Sequence, residues 1–415
     1  MKRSEYRRPL RVETPNLKLS TRNASHELRA ALHEHLAWWG LRQFTSDPAY
    51  FAWQQQQLSP EDLKQLAARA EQKRKGDRHD EMAFYDAAAH PKIFPVLYSQ
   101  RYDYYEVIAS QIAAHCDEAT AILDFGCGLG ILTSFCARLF PDKQFVGVDR
   151  SSASIAVAQE QADRLGLRNL RFDCVDGDAE PLSGCYDLVV ATHALLQAEQ
   201  DPGLPSRSWQ TFERGHDSVR QSAFEQRTGL GRRLDTLMEV LSSDGHMILC
   251  EKTRQLGRRV PFQRALAARG LQLLEPPTSV RYHSVEELVD DGPLYWLQRG
   301  SQERVAWDES PEPDEGRPFS PEALATPTDP ESPLYENHWP SAQAAWEQVV
   351  DREVLVDTTR QEPDGRQMHV ERGKFPGYHY LYCANTFDQR QLVIVEETRA
   401  VMLDVYYQDI LRGLG

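Results

Sequence analysis

The sequence predicts an α/β fold built on a parallel sheet, and three observations carry that prediction. Five short apolar runs, "AILDF", "QFVGVD", "LRFDCV", "YDLVVAT" and "HMILCE", recur between residues 121 and 251. Helical patterns such as "SSASIAVAQEQADRLG" separate them. The first run passes at once into three glycines within five residues, in "AILDFGCGLGILT". Strands that alternate with helices form parallel sheets covered on both faces. Glycine between a strand and a helix lets the backbone turn tightly and lets a ligand approach it closely.

The elements follow in order. Residues 1–25 are polar and are expected to be irregular. From residue 25 to 39, Leu28, Leu32, Leu36 and Trp39 recur at helical spacing. The two histidines of "HEH" in that helix, His33 and His35, are two residues apart and face different directions, so they are not read as a metal pair. A second helix is expected over residues 60–75, with Ser59 as its cap and Glu61 and Asp62 beside its positive end. A third is expected over 101–115; its tyrosines at 102, 104 and 105 read first as helix packing. The five sheet strands come next, and two more are expected at "LQLLE" (271–275) and "LYWLQR" (294–299). Residues 303–333 are acidic and proline-rich, as a linker would be. After them "QMHVERG", "YHYLYCAN", "QLVIVEE" and a closing helix near 397–412 suggest a small β-rich module. The expected division is therefore a helical region over 1–94, the α/β domain over 95–302, the linker, and an accessory module over 334–415 that is separable from the rest.

Composition narrows the function. The chain has 415 residues, a net charge of −15 and 41% hydrophobic residues, which is a soluble globular composition. The acidic balance argues against nucleic acid and anionic membranes as partners. The basic start "MKRSEYRRPLRVE" lacks the apolar core of a secretory signal. No apolar run reaches the roughly 20 residues that a membrane span needs. The seven cysteines are scattered without a C-x-x-C pair, so neither a disulfide framework nor a metal site is expected, and a cytoplasmic location is.

The glycine cluster separates two ligand classes. The dinucleotide pattern G-x-G-x-x-G requires glycine or alanine where this chain has Ile131 or Thr133. Asp124 to Gly130 instead reads D-x-G-x-G-x-G. This resembles motif I of the class I S-adenosylmethionine-dependent methyltransferases. The likeness continues in order through "VGVDRS", "VDGDAEPL", "GCYDLVVATHALLQ" and "LMEVLSSDGHMILCE", where Ser243, Asp244 and Gly245 stand in place of the family's Pro-Gly-Gly turn. It covers residues 95 to 300 and implies a seven-stranded Rossmann-like sheet that holds S-adenosyl-L-methionine. Carried over residue by residue, the resemblance puts Asp124, Gly126, Cys127, Gly128 and Gly130 in the cofactor loop. It gives the ribose hydroxyls to Asp149, with Arg150 beside it. The adenine amino group falls to Asp178 and the ring to the Ala179 N–H, and Thr192 falls at the methyl-transfer edge.

The implied reaction moves a sulfonium methyl group to a nucleophile, and positioning is its main demand. A base is needed only where the acceptor must first lose a proton. His193, just past the fourth strand, is the candidate base, and Tyr102 is the second candidate for a catalytic role. Tyr85, Tyr102 and Tyr105 are candidates to cover the cofactor. Residues 197–235 form a long insertion with six arginines (207, 214, 220, 227, 232 and 233), read as a lid that would suit an acidic acceptor. A small-molecule acceptor is expected, with methylation of an oxygen or nitrogen. Methylation of a protein or peptide, and a scaffold protein without turnover, are the alternatives. The sequence leaves the oligomeric state open.

Overall fold

The computed structural model describes residues 23–75, 78–197, 200–300, 305–314, 316–320, 324, 332–362 and 365–412. Most of the polar start and much of the acidic stretch over 303–333 lie outside the described residues. The chain divides into two compact units. The first comprises Met1–Asp201, Glu225–Arg254 and Arg264–Trp307; the second comprises Pro202–Phe224, Gln255–Gln263 and Asp308–Gly415.

The first unit is built on a sheet of β1 (Ala121–Phe125), β2 (Gln144–Asp149), β3 (Leu170–Cys174), β4 (Tyr186–Thr192), β5 (Leu241–Cys250), β6 (Leu271–Leu273), β7 (Thr278–Ser284) and β8 (Glu287–Arg299). The strand order is β3-β2-β1-β4-β5-β8-β6, with β7 on β8. β1 to β5 run parallel to one another, and β8 runs antiparallel to β5. The sheet has eight strands among the described residues, where seven were expected. The difference is a hairpin. β8 is 13 residues long; its first part pairs with β7, and its last part pairs with β5 and β6. Only that last part, residues 294–299, carries the dense apolar run that the sequence reading detected.

Strand order reverses at β1, which lies between β2 and β4. A crevice opens at such a point, outside the carboxyl ends of the strands. The helices preceding the sheet are α1 (Asn23–Trp38), α2 (Asp47–Gln57), α3 (Pro60–Lys75), α4 (Arg78–Ala88), α5 (Phe94–Ser99) and α6 (Tyr102–His115). Then come α7 (Ile131–Leu139), α8 (Ser152–Leu165), α9 (Ser218–Arg227), α10 (Leu230–Val240) and α11 (Leu256–Ala268). Leu32 and Leu36 of α1, Ile108 and Ile112 of α6, and Phe135 of α7 share one core with β1, β2 and β4. Full burial of side chains this size stabilises by about 1.5–3 kcal/mol each, so the early helices are part of the sheet's own core. His35 of α1 is fully buried; its Nε2 lies 3.0 Å from Ile131 O, at the start of α7. His33 turns the other way, to Glu106 of α6.

The second unit holds an antiparallel sheet in the order β10-β11-β12-β13-β9. Its elements are β9 (Tyr335–His338), α12 (Trp339–Gln348), β10 (Glu353–Gln361), β11 (Gln367–Phe375), β12 (Tyr378–Asn385), β13 (Arg390–Glu396) and α13 (Met402–Arg412). Side chains alternate across a strand. Tyr380, Tyr382 and Ala384 of β12 therefore pack with Ala342 and Ala345 of α12, while Leu381 and Cys383 pack with Leu403 of α13. Part of the 197–235 insertion belongs to this unit. Trp209 stacks on His369 with ring centroids 3.5 Å apart, and Arg214, 1% exposed, pairs with Asp388. No helix among the described residues is long and apolar enough to cross a membrane.

Candidate active site

The cleft of the first unit forms where β1 ends. Asp124 is buried and accepts from Thr133 Oγ1 at 2.5 Å; burial pushes its carboxyl up to about 6. The chain then turns through Gly126, Gly128 and Gly130 with φ of 76°, 54° and 73°, the left-handed region that side chains disfavour. Gly130 caps α7, and a Cβ there would lie 2.4 Å from the Phe172 ring. Gly128 differs: a Cβ on it would meet nothing within 4 Å, because this glycine faces the cleft.

Asp149 ends β2 beside this loop. Its Oδ2 accepts from the Gly128 N–H at 2.9 Å and its Oδ1 from the Ser151 N–H at 2.8 Å. Burial raises its pKa, and those two N–H groups oppose the rise. Arg150 pairs with Glu81 of α4, so the early helices reach the same wall. Across the cleft, Arg233 of α10 donates to Asp178 and to the carbonyls of Ala194 and Leu195. Glu251 follows directly on β5 and accepts from the N–H groups of Ala194 and Leu195, both at 2.7 Å. Burial pushes its carboxyl up to about 7.

His193 follows Thr192 at the end of β4 with φ 55°, and its N–H donates to Cys250 O at 2.8 Å. Its ring stacks on Tyr104 with centroids 5.2 Å apart. Nε2 lies 3.0 Å from Asp291 Oδ2, at an angle too oblique for a well-formed hydrogen bond. Arg101 Nη2 lies 3.2 Å from Nδ1. Burial lowers the His193 pKa and Arg101 lowers it further, against the pull of Asp291. Burial acts to raise the Asp291 carboxyl, but its contacts with His193, Tyr282 and Arg101 outweigh that and leave it below the usual range. The cleft thus combines a glycine loop, a carboxylate at the end of the second strand and a neutral imidazole backed by a carboxylate.

Residues 116–262 match a family described as "Methyltransferase domain". This chain carries a class I S-adenosylmethionine-dependent methyltransferase domain. It is 37% identical over 94 residues to the trans-aconitate 2-methyltransferase of Deinococcus radiodurans, a match covering 23% of this chain and 34% of that protein. It is 37% identical over 87 residues to the release factor glutamine methyltransferase of Geobacter sulfurreducens, covering 21% and 30%. Over 141 residues it is 30% identical to the malonyl-[acyl-carrier protein] O-methyltransferase of Halalkalibacterium halodurans, covering 28% and 51%. The chain therefore spans a third to a half of the length of these relatives.

Within the methyltransferase domain the cleft brings together Asp124, Gly126, Cys127, Gly128, Asp149, Arg150, Asp178, Thr192 and His193. Gly130 stands one residue behind, as the helix cap. Ala179 lies outside the lining, and its N–H donates to Asp176 O at 2.8 Å. Tyr102 requires a correction. It is 7% exposed and packs edge-on against His33, away from the cleft. Residues at i, i+3 and i+4 share a helix face, so Arg101, Tyr104 and Tyr105 reach the cleft while Tyr102 turns toward α1. Tyr85 and Tyr98 also line it. Burial raises the pKa of Tyr104 and Tyr105, which keeps both hydroxyls protonated at neutral pH.

Asp291, Glu251 and Arg101 escaped the sequence reading. Glu251 was visible only as the last letter of a strand, and nothing near Asp291 in sequence points to His193. Five of the six arginines read as an acidic-acceptor lid have internal partners: Arg207 with Glu213, Arg214 with Asp388, Arg220 with Asp217, Arg227 with Asp201 and Arg233 with Asp178.

Proposed function

We propose that this protein transfers a methyl group from S-adenosyl-L-methionine to an oxygen or nitrogen of a small-molecule acceptor, with His193 as the base. The observation that carries this reading is that the His193–Asp291 pair lines or backs the same cleft as the glycine loop and Asp149. The residues fit the cofactor. An ionised carboxylate offers about four acceptor sites; backbone N–H groups occupy two on Asp149, which leaves capacity for two ribose hydroxyls. Gly128 presents bare backbone to the cleft. Asp176, Gly177 and Asp178 form the wall suited to the adenine. When bound, the cofactor supplies a methyl group already activated by its positive sulfur.

The chain's own residues do the rest. Tyr98, Tyr104 and Tyr105 give the cleft an aromatic wall that excludes water. With the Nε2 proton facing Asp291, the Nδ1 lone pair of His193 accepts from Arg101 at the edge of the cleft; an acceptor hydroxyl or amine that displaces that N–H can give its proton to Nδ1. Asp291, with Oδ2 3.0 Å from Nε2, favours that tautomer by its charge and stabilises the imidazolium that forms. Seven unpaired cysteines support a cytoplasmic setting.

The test is adenosylhomocysteine formation from S-adenosylmethionine with a panel of small hydroxyl, amine and carboxylic acids, compared with His193→Gln. Product that forms at equal rates with and without the histidine would remove it as the base. No product and no cofactor binding would overturn the reading as a whole.

A further inference from the structure

Four successive backbone N–H groups follow the end of β4, and two successive residues at the end of β5 hold all four. The His193 N–H donates to Cys250 O at 2.8 Å. The N–H groups of Ala194 and Leu195 donate to Glu251 Oε1, both at 2.7 Å, and that of Leu196 reaches Oε2 at 3.4 Å. From the other side, Arg233 Nη1 donates to the carbonyls of Ala194 and Leu195 at 3.0 and 3.1 Å. One short segment is thus gripped through its N–H groups by a buried acid and through its carbonyls by a buried base. Successive N–H groups of this kind form a concavity that binds an anion. Here the anion is internal, the carboxylate of Glu251.

The segment so held is the one that the cleft depends on. His193 has φ 55°, and a residue other than glycine keeps such a backbone only where its surroundings over-determine it. Ala194, Leu196 and Gln197 line the cleft beside His193, whereas Glu251 does not. Ala194 also packs directly on the glycine loop: a Cβ on Gly126 would lie 2.3 Å from the Ala194 Cβ. We infer that Glu251 is a positioning residue for methyl transfer, which fixes residues 193–196 and thereby places both the His193 ring and the cleft wall against Gly126. This deepens the methyl-transfer reading and rests on it. The clamp needs acceptor oxygens more than it needs charge. Burial pushes the Glu251 carboxyl up to about 7, and its protonated form still offers a carbonyl oxygen to Ala194 and Leu195. An amide of the same shape can therefore replace it. An apolar side chain of similar size cannot, because it leaves buried donors unpaired.

The experiment compares full-length wild type with Glu251→Gln, Glu251→Leu and Glu251→Asp, which draws the carboxylate back by one methylene. Calorimetry reads adenosylhomocysteine affinity. NMR of isotope-labelled histidine rings reads the titration of His193, whose signal is the one lost in His193→Gln. Glu251→Gln is expected to bind adenosylhomocysteine within about three-fold of wild type and to keep the His193 pKa at its wild-type value. Glu251→Leu is expected to bind about ten-fold more weakly or worse, and its His193 to titrate nearer 6.5, because a ring that leaves its place loses the burial that lowers it. Glu251→Asp should fall between them. Melting curves report whether each variant is folded; if Glu251→Leu is not, Glu251→Asp against Glu251→Gln decides. A merely structural acid would lower the melting temperature in Glu251→Leu and leave the His193 titration where it is in Glu251→Gln, and that result overturns the inference. The two readings fail separately. Wild type that binds no adenosylhomocysteine removes methyl transfer, while the histidine titrations still decide the clamp. Adenosylhomocysteine binding with the same His193 titration in the Gln and Leu variants removes the clamp alone.

Discussion

Arg233 closes a fork on Asp178, with Nε 2.9 Å from Oδ1 and Nη2 2.8 Å from Oδ2, while its Nη1 donates to Ala194 O and Leu195 O at 3.0 and 3.1 Å. One side chain thereby ties the loop after β3 to the loop after β4, the two walls between which the adenosine end of a cofactor would lie. Its side chain is only 6% exposed, and that of Asp178 13%. Breaking a buried pair of this kind leaves an uncompensated charge and costs about 3–5 kcal/mol. Arg233→Ala should lose stability on that scale in denaturant unfolding and weaken adenosylhomocysteine binding. A loss under about 1 kcal/mol would put the pair with ordinary surface bridges.

Asp149→Ala should weaken cofactor binding by about 1.5–3 kcal/mol, the scale of hydrogen bonds to a charged group. Gly128→Ala tests the same wall from the other side. Its Cβ meets no protein atom, so the backbone strain of about 1–2 kcal/mol is the only stability loss expected. Cofactor affinity should fall by more than that. Calorimetry beside a melting curve separates the two effects; equal affinity in Gly128→Ala would mean that the bare backbone faces no ligand.

The pH dependence of methyl transfer has a defined sign. The His193 pKa lies below 6.5, so the ring is neutral above that pH; with His193 as the proposed base, the acid limb of the rate profile should fall below it. Asp291 raises this pKa and Arg101 lowers it. Asp291→Asn should therefore move the limb to lower pH, and Arg101→Met to higher pH. His193→Gln should slow transfer by about 10²–10⁴-fold with cofactor affinity retained. Limbs that stay in place in both variants would assign the titration to another group.

His35 makes a second pH prediction, for stability. Burial lowers its pKa from 6.5 to about 3. The unfolded chain takes up that proton first, so the contribution of His35 is present above pH 6.5 and is lost as pH falls toward 3, by at most about 1.4 kcal/mol per unit. Asp124 and Glu251, pushed up to about 6 and 7, work in the opposite direction. The effect is therefore read as the difference between wild type and His35→Gln in unfolding free energy from pH 7 to 5. A flat difference would show that the ring is protonated in the folded protein.

A chain cut after residue 329 tests the second unit. Such a cut removes His369 from Trp209 and Asp388 from Arg214. It should yield aggregated protein or a melting temperature several degrees lower. A monomeric product with a single sharp transition at the wild-type temperature would show that residues 202–224 hold their structure alone.

The sheet was legible because its strands are nearly continuous apolar runs, buried on both faces, with glycine directly after the first. Gly128, Asp149 and His193 were legible because each follows such a run. Asp291 was not, because it reaches the histidine from β8, two strands along the sheet from β4 and nearly a hundred residues later in the chain. Three tyrosines within four residues could not be ranked until the face of α6 was known, and Tyr102 was chosen where Tyr104 and Tyr105 line the cleft. α4 and α5 were missed: one is short of apolar periodicity and the other has only six residues, with Pro95 in its first turn. β10 was missed because all nine of its residues are exposed, which leaves no alternation to detect.

The second unit draws on three separate stretches of chain, and this sets a timetable for synthesis. Residues 202–224 and 255–263 leave the ribosome well before the strands they join. At roughly 5–20 residues per second, translation from residue 263 to the end of β13 at Glu396 takes on the order of ten seconds. Throughout that interval Trp209 waits without Trp346, His369 and Tyr382, the rings it packs on in the finished protein. The nascent chain is thus most open to chaperone capture and proteolysis after its parallel strands have been translated and before its last strands emerge.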